Sequence, residues 1–232
     1  MTYLISNLFG QYEAFIKLMD KINLKGTDNL YLMGDVADKG PEPIKLIQDL
    51  ACRPNLYPIL GNHDFFAYKM LSKFIDMPAD GDVMKYLSPA EEQMFDEWMS
   101  MGGNVTLKQF LALDEFDRED IIDYLSEFSL YEEVTVDGVD YVMVHAGIDN
   151  FSPDKDMEDY SFTELIFHPA DYSKVYFPDK VLVTAHTPVS ELGHSEKSLF
   201  YKSNGHLCIN LIPDNKIAAI RLNDGKEYTI NI

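Results

Sequence analysis

Leu30-Tyr31-Leu32-Met33-Gly34-Asp35-Val36-Ala37-Asp38-Lys39-Gly40 is a short apolar run that ends in a glycine-flanked turn carrying two carboxylates and a lysine. So short a run, bounded by turn residues, reads as a buried strand with the charged turn at its carboxyl end. Just beyond it, Ile44, Ile47 and Leu50-Ala51 recur at helical spacing, on a helix begun by Pro41. The same unit stands on either side. Upstream, Tyr3-Leu4-Ile5 leads into Ser6-Asn7-Leu8-Phe9-Gly10 and a helix with Phe15, Leu18, Met19 and Ile22 on one face. Downstream, Leu56-Tyr57-Pro58-Ile59-Leu60 leads into Gly61-Asn62-His63-Asp64 and an apolar helix from about Phe65 to Phe74. This βαβαβα order predicts an α/β chain with a parallel sheet and right-handed crossovers. In such sheets ligands gather at the carboxyl ends of the strands, where all three turns fall.

The last third turns to strands. Leu130 to Val136 and Val139 to His145 flank Asp137-Gly138, a hairpin signal. Runs at Val181–Thr184, Leu207–Leu211, Ile217–Ile220 and Tyr228–Ile230 follow, with Asn223-Asp224-Gly225 as a further turn. A second sheet packed on the first gives a sandwich with helices outside. Between the halves, from about 78 to 130, the chain reads as a carboxylate-rich helical insertion in which Ser88 caps a helix carrying Met94, Phe95 and Trp98. That insertion is either a solvated outer layer or a lid. With no repeats, linkers or low-complexity segments, residues 1–232 are expected to form a single domain.

A chain of 232 residues, 46% of them hydrophobic, can bury one sizeable core. Its formal net charge of -20 argues against nucleic acid or an anionic membrane as partner, because both require a cationic surface. Cys52 and Cys208 are too few for a disulfide framework, no basic apolar leader opens the chain, and no run nears the ~20 apolar residues of a membrane helix. The cytoplasm is the expected compartment.

Two further strand ends carry histidine, in Val144-His145-Ala146-Gly147 and Ala185-His186-Thr187-Pro188. Taken with the first three turns, these five tips resemble the calcineurin-like metallophosphoesterases, most closely the branch of bacterial-type serine/threonine phosphatases and symmetrical diadenosine-tetraphosphate hydrolases. The resemblance runs from about Tyr3 to Leu222, apart from the insertion. It implies a β-sandwich of two packed mixed sheets flanked by helices, and a two-metal phosphoesterase site.

By that resemblance, Asp35, Asn62, His145 and His186 hold one divalent metal. Their carboxylate, amide and imidazole groups suit manganese foremost, with iron, zinc, nickel or magnesium as alternatives. The family holds its second metal with Asp and His of the first tip. Here those positions are Asn7, at best a weak neutral ligand, and Phe9, which offers no donor, so the second site is expected weak or absent. His63 resembles the family's general acid and Asp38 the carboxylate that orients it, a catalytic pair in which an imidazole can exchange protons near neutrality. The phosphate clamp is altered as well. Lys39 stands where the family has arginine and keeps the charge without the planar fork, and Asn62 also faces phosphate by resemblance. Pro169 falls where a second arginine is usual, leaving nearby His168 as a weak substitute or a plain loop residue. Arg53, Arg118 and Arg221 lie in none of the tips.

Two classes of function follow from the resemblance. One is a phosphomonoesterase or phosphoprotein phosphatase, impaired or single-metal, acting on a phosphorylated small molecule or phosphoprotein. The other is an inactive pseudophosphatase serving as a binding or scaffolding module. Dinucleoside-polyphosphate hydrolysis is a weaker third, because so acidic a chain without clamp arginines suits a polyanion poorly. Oligomeric state is not legible.

Overall fold

The computed structural model describes residues 1–193, 198–211 and 215–232. Three parallel strands, β1 (Thr2–Ile5), β2 (Asn29–Leu32) and β3 (Leu56–Pro58), alternate with helices α1 (Tyr12–Ile22), α2 (Pro43–Ala51) and α3 (Asn62–Leu71). The helix expected from Pro41 starts two residues later, with Pro43 in its first turn. Its start suits proline, whose missing N–H costs nothing there. The third strand is shorter than its apolar run, and just past its end Ile59 bridges Ser129 while its N–H still donates to the Leu32 carbonyl at 2.8 Å.

After α3 come three inserted helices, α4 (Pro89–Ser100), α5 (Asn104–Leu111) and α6 (Glu115–Ser126). Ser88 and Glu91 form the Ser-x-x-Glu capping box at the start of α4, with the Ser88 N–H and hydroxyl both donating to the Glu91 carboxylate. The acidic outer faces are solvated, but Phe95, Trp98, Phe110, Ile121 and Leu125 are buried. The insertion therefore belongs to the core on one side. Arg118 binds it to the segment that follows α3, donating to the carbonyls of Phe74, Ile75 and Met77, and also to those of Leu111 and Leu113.

The second sheet starts with the hairpin of β4 (Tyr131–Val136) and β5 (Val139–Val144). Its Asp137-Gly138 turn takes φ 50° and 84°, the paired positive values that match strand twist. A short α7 (Phe162–Ile166) precedes β6 (Lys180–Pro188), and α8 (Val189–Leu192) follows it. Then come β7 (Tyr201–Ser203), β8 (His206–Asn210), β9 (Lys216–Arg221) and β10 (Lys226–Asn231). One sheet has the order β10-β9-β1-β2-β3 and the other β4-β5-β6-β8-β7. Both mix parallel and antiparallel pairs, and buried apolar residues from the two sheets and the flanking helices form one continuous cluster. Among the described residues no helix is long and apolar enough to cross a membrane.

Candidate active site

Asp35 and Asp38 follow β2, Asn62 and His63 open α3, and His145 follows β5. His186 sits inside β6 where the ladder to β8 slips register between Thr184 and Pro188. There Ala185 and His186 both donate their N–H to the His145 carbonyl, at 2.8 and 2.9 Å. Such a bulge re-aims a side chain, and here it turns His186 toward His145.

Four of the residues expected to hold metal are brought together. Asn62 Oδ1 is 3.1 Å from His145 Nε2 and 3.2 Å from His186 Nδ1, the two imidazole nitrogens are 3.3 Å apart, and Asp35 Oδ1 is 3.5 Å from His145 Nε2. His145 Nδ1 donates to the Met33 carbonyl at 2.7 Å. In the neutral ring that leaves Nε2 as a lone pair, facing an amide oxygen and a carboxylate. Acceptors do not crowd one another at this range unless a proton or cation lies between them. Ligands placed about 2.0–2.2 Å from a divalent cation stand about 3.0–3.5 Å apart along the edges of its coordination polyhedron. The donor set fits one cation. Among the described residues no group of three or more His, Cys, Asp or Glu is placed to hold a metal ion, and Asn62 brings an amide oxygen beside the two imidazoles and Asp35.

Electrostatics favour the same occupant. Burial and the neighbouring His145 push the His186 imidazole down to about 4, which leaves it neutral and ready to ligate near pH 7. Asp35 is buried too, yet His145, His63 and His186 outweigh that burial and hold its carboxyl below the usual range.

The first tip takes no part in the donor set. Asn7 donates Nδ2–H to Asp35 Oδ2 at 3.1 Å, while its Oδ1 is buried without a partner. The Phe9 ring meets the His63 ring at 4.9 Å and 83°, and Lys39 Nζ stands 3.8 Å above the centre of the Phe9 ring. Lys39 keeps solvent access, but the protein wall around its ammonium lowers its pKa, against the pull of Asp35 and Asp38. An amide, a benzyl ring and an ammonium thus stand on this side of Asp35. Gly40 underlies the arrangement, because a Cβ there would meet the Phe9 carbonyl oxygen at 1.9 Å.

Asn7, Phe9, Asp35, Asp38 and Lys39 all have positive φ, between 40° and 72°. Strain of this kind persists only where surroundings over-determine it, and it concentrates here on the first two tips. Part of that constraint comes from Asp64, which the sequence reading passed over. Fully buried at the third position of α3, its carboxylate accepts N–H from Asp35 at 2.7 Å, Val36 at 2.9 Å, and Ala37 and Gly61 at 3.1 Å. Burial and the charge of Asp35 raise it to about 6 despite those four bonds.

The two residues expected to act as an acid pair meet in space. His63 Nδ1 lies 2.8 Å from Asp38 Oδ2, and Asp38 is wholly buried. Trp98 Nε1 donates to both Asp38 oxygens, at 3.0 and 3.1 Å, and Thr106 Oγ1 donates to Oδ1 at 2.7 Å. Neither Trp98 nor Thr106 was singled out for this from sequence. His168 is exposed, with Nε2 3.8 Å from Asp149 Oδ2, and it is not brought against the cluster. The three arginines serve elsewhere, Arg53 on Asp49, Arg221 on Asp224 and Arg118 on the carbonyls above.

Comparison with known proteins identifies the family and the fold. The sequence model of the calcineurin-like phosphoesterases matches residues 2–220. A symmetrical bis(5'-nucleosyl)-tetraphosphatase of Nitrosospira multiformis is 30% identical over 148 residues, 63% of this chain and 43% of that protein. Its counterpart from Buchnera aphidicola is 28% identical over 121 residues, 51% of this chain and 40% of that protein. The chain thus spans less than half the length of these relatives. Among solved structures, a provisionally named diadenosine tetraphosphatase superposes with TM-score 0.65 at 14% identity, covering 99% of this chain and 92% of its own. A serine/threonine phosphatase of Saccharomyces cerevisiae gives 0.61 at 11% identity, over 100% and 79%. At such identities the structural likeness speaks for fold.

Proposed function

The chain belongs to the calcineurin-like phosphoesterases, matched over residues 2–220, and from that premise we propose that it is a phosphoester hydrolase working with one tightly held divalent cation. Asp35, Asn62, His145 and His186 hold the ion, with manganese the leading candidate. When bound it supplies Lewis-acid polarisation of phosphoryl oxygens. The single observation that carries the reading is the 2.8 Å contact of His63 Nδ1 with Asp38 beside that donor set.

In its doubly protonated form His63 keeps Nδ1–H on Asp38 and turns Nε2–H to the substrate. As water adds to phosphorus and the ester P–O bond breaks, Nε2 delivers its proton to the departing oxygen, and the proton released by the added water goes to solvent and is regained from it by the ring. Lys39 offers the transferred group a point charge, and the second cation is dispensed with because Asn7 and Phe9 replace its ligands. We propose phosphomonoesters or phosphoproteins as substrates and a single catalytic unit over 1–232. A reducing, cytoplasmic setting suits two unpaired cysteines, Cys52 and Cys208, and the charge of -20 speaks against nucleic-acid and membrane partners. The names of the curated relatives support a second reading, symmetrical cleavage of dinucleoside tetraphosphates.

Purified protein with added manganese, offered p-nitrophenyl phosphate, a phosphopeptide and diadenosine tetraphosphate, tests these together. Turnover of the first two that His63→Ala lowers by 100-fold or more is the expected result. Turnover indifferent to His63 overturns the mechanism, and preference for the dinucleotide selects the second reading. Stoichiometric cation binding with no turnover on any of the three makes the protein a binding or scaffolding module.

A further inference from the structure

The inserted helices reach the proton relay directly. Trp98, on α4, is fully buried and gives its indole N–H to both oxygens of Asp38. From α5, Thr106 closes a ring on the same residue. Its hydroxyl accepts the Asp38 backbone N–H at 2.9 Å and donates to Asp38 Oδ1 at 2.7 Å. Next along the chain, the Lys39 N–H donates to the carbonyl of Gly102, in the turn joining the two helices. Gly103 in that turn must lack a side chain, since a Cβ would sit 2.4 Å from the indole. The indole in turn packs against Phe95, at 6.3 Å and 73°.

A carboxylate rotates softly about its last torsion, so a lone contact with His63 would not fix its plane. Donors from two helices, together with a backbone tie at φ 72°, do fix it. We infer that Trp98 and Thr106 are positioning residues which lock Asp38, and through it the His63 imidazole, with Nδ1–H on Asp38 and Nε2 turned to the leaving group, so that the doubly protonated ring delivers its Nε2 proton there. The insertion then works as a buttress for the general acid rather than as a lid. This inference rests on the hydrolase reading for its catalytic consequence, but its structural half does not.

The consequence is selective. Help from a general acid matters most when the departing oxygen is a poor leaving group, as in phenyl phosphate, and least for p-nitrophenyl phosphate. Loss of the lock should therefore change substrate preference, which loss of general stability would not. Thr106→Val keeps shape and removes the hydroxyl that both donates to and accepts from Asp38, Trp98→Phe removes the indole donor and leaves a smaller ring in its place, and Thr106→Ser keeps the hydroxyl.

The manganese-loaded full chain is assayed on both esters, and ¹⁵N spectra of the metal-free imidazoles are recorded alongside. We expect the p-nitrophenyl to phenyl rate ratio to rise about tenfold or more in Trp98→Phe and Thr106→Val, and to stay at the wild-type value in Thr106→Ser. In the spectra, the single Nδ1–H tautomer of His63 should give way to a mixture in the first two variants only. An unchanged ratio in folded Trp98→Phe and Thr106→Val, while His63→Ala shifts it, overturns the positioning role and spares the hydrolase reading. A wild type with no turnover sinks that reading instead, and an unchanged tautomer in both variants then overturns the lock by itself.

Discussion

The rings of Phe9 and His63 meet in a T at 4.9 Å, so an apolar side chain borders the proposed general acid where the resembled family carries a metal ligand. With Lys39 Nζ on the Phe9 ring and Asn7 Nδ2–H on Asp35 Oδ2, the positive charge on this side of Asp35 comes from protein groups. We predict one equivalent of tightly bound manganese by calorimetry in the wild type. Asn7→Asp with Phe9→His should bind two. Two tight equivalents in the unaltered protein would show that Phe9 excludes nothing.

Asp64 supports a second prediction. Its carboxylate accepts four buried N–H groups around the Asp35 turn. Leaving such donors unpaired costs roughly 1–3 kcal/mol each before relaxation. Asp64→Ala should lower unfolding free energy by about 3 kcal/mol or more in denaturant titrations, and should weaken cation binding because Asp35 loses its fixed backbone. Asp64→Asn, which keeps one oxygen, should fall between. A loss under about 1 kcal/mol in Asp64→Ala would mean that water replaces the carboxylate freely.

How far the sequence reached is visible in these same residues. The three βα units were legible because apolar runs and turn residues alternate within short windows. The five tips were legible because each is contiguous. Asp35, Asn62, His145 and His186 come together in space, as strand ends on two adjoining sheets allow. Asp64 was written in the third tip but carried no visible task, since its partners are backbone N–H groups that leave no mark on residue type. Trp98 and Thr106 meet Asp38 across 60 and 68 residues, and no local period encodes such a meeting. The same limit hid the role of the insertion, whose acidic faces advertise solvent while its buried face holds the relay.

His186 should carry a pH signature. Its folded pKa is pushed down to about 4 from 6.5, chiefly by burial and then by His145. As pH falls through 6.5 the unfolded chain takes up this proton first, so stability present above 6.5 is lost progressively until about 4. At 1.36 kcal/mol per unit the full loss from this group is roughly 3 kcal/mol. His186→Gln cannot titrate, so the metal-free wild type should lose stability relative to that variant between pH 7 and pH 4.5. Parallel pH curves for the two would place the imidazole in water.

Lys39 gives the last prediction. Its ammonium is the side-chain cation proposed to face the phosphate, held on the Phe9 ring at 3.8 Å and drawn by Asp35 and Asp38. A charge-assisted hydrogen bond to phosphate is worth about 1.5–3 kcal/mol, which corresponds to roughly 10- to 150-fold. Lys39→Met keeps the length and apolar contact with Phe9 and removes the charge, so kcat/KM on a phosphomonoester should fall by about that factor. The p-nitrophenyl to phenyl ratio should hold, because the Asp38 and His63 pair is untouched. If both ratio and rate move as they do in His63→Ala, Lys39 acts on the leaving group rather than on the phosphoryl oxygens. If neither moves, the ammonium serves the Phe9 ring alone, and the phosphate is bound by the cation and Asn62.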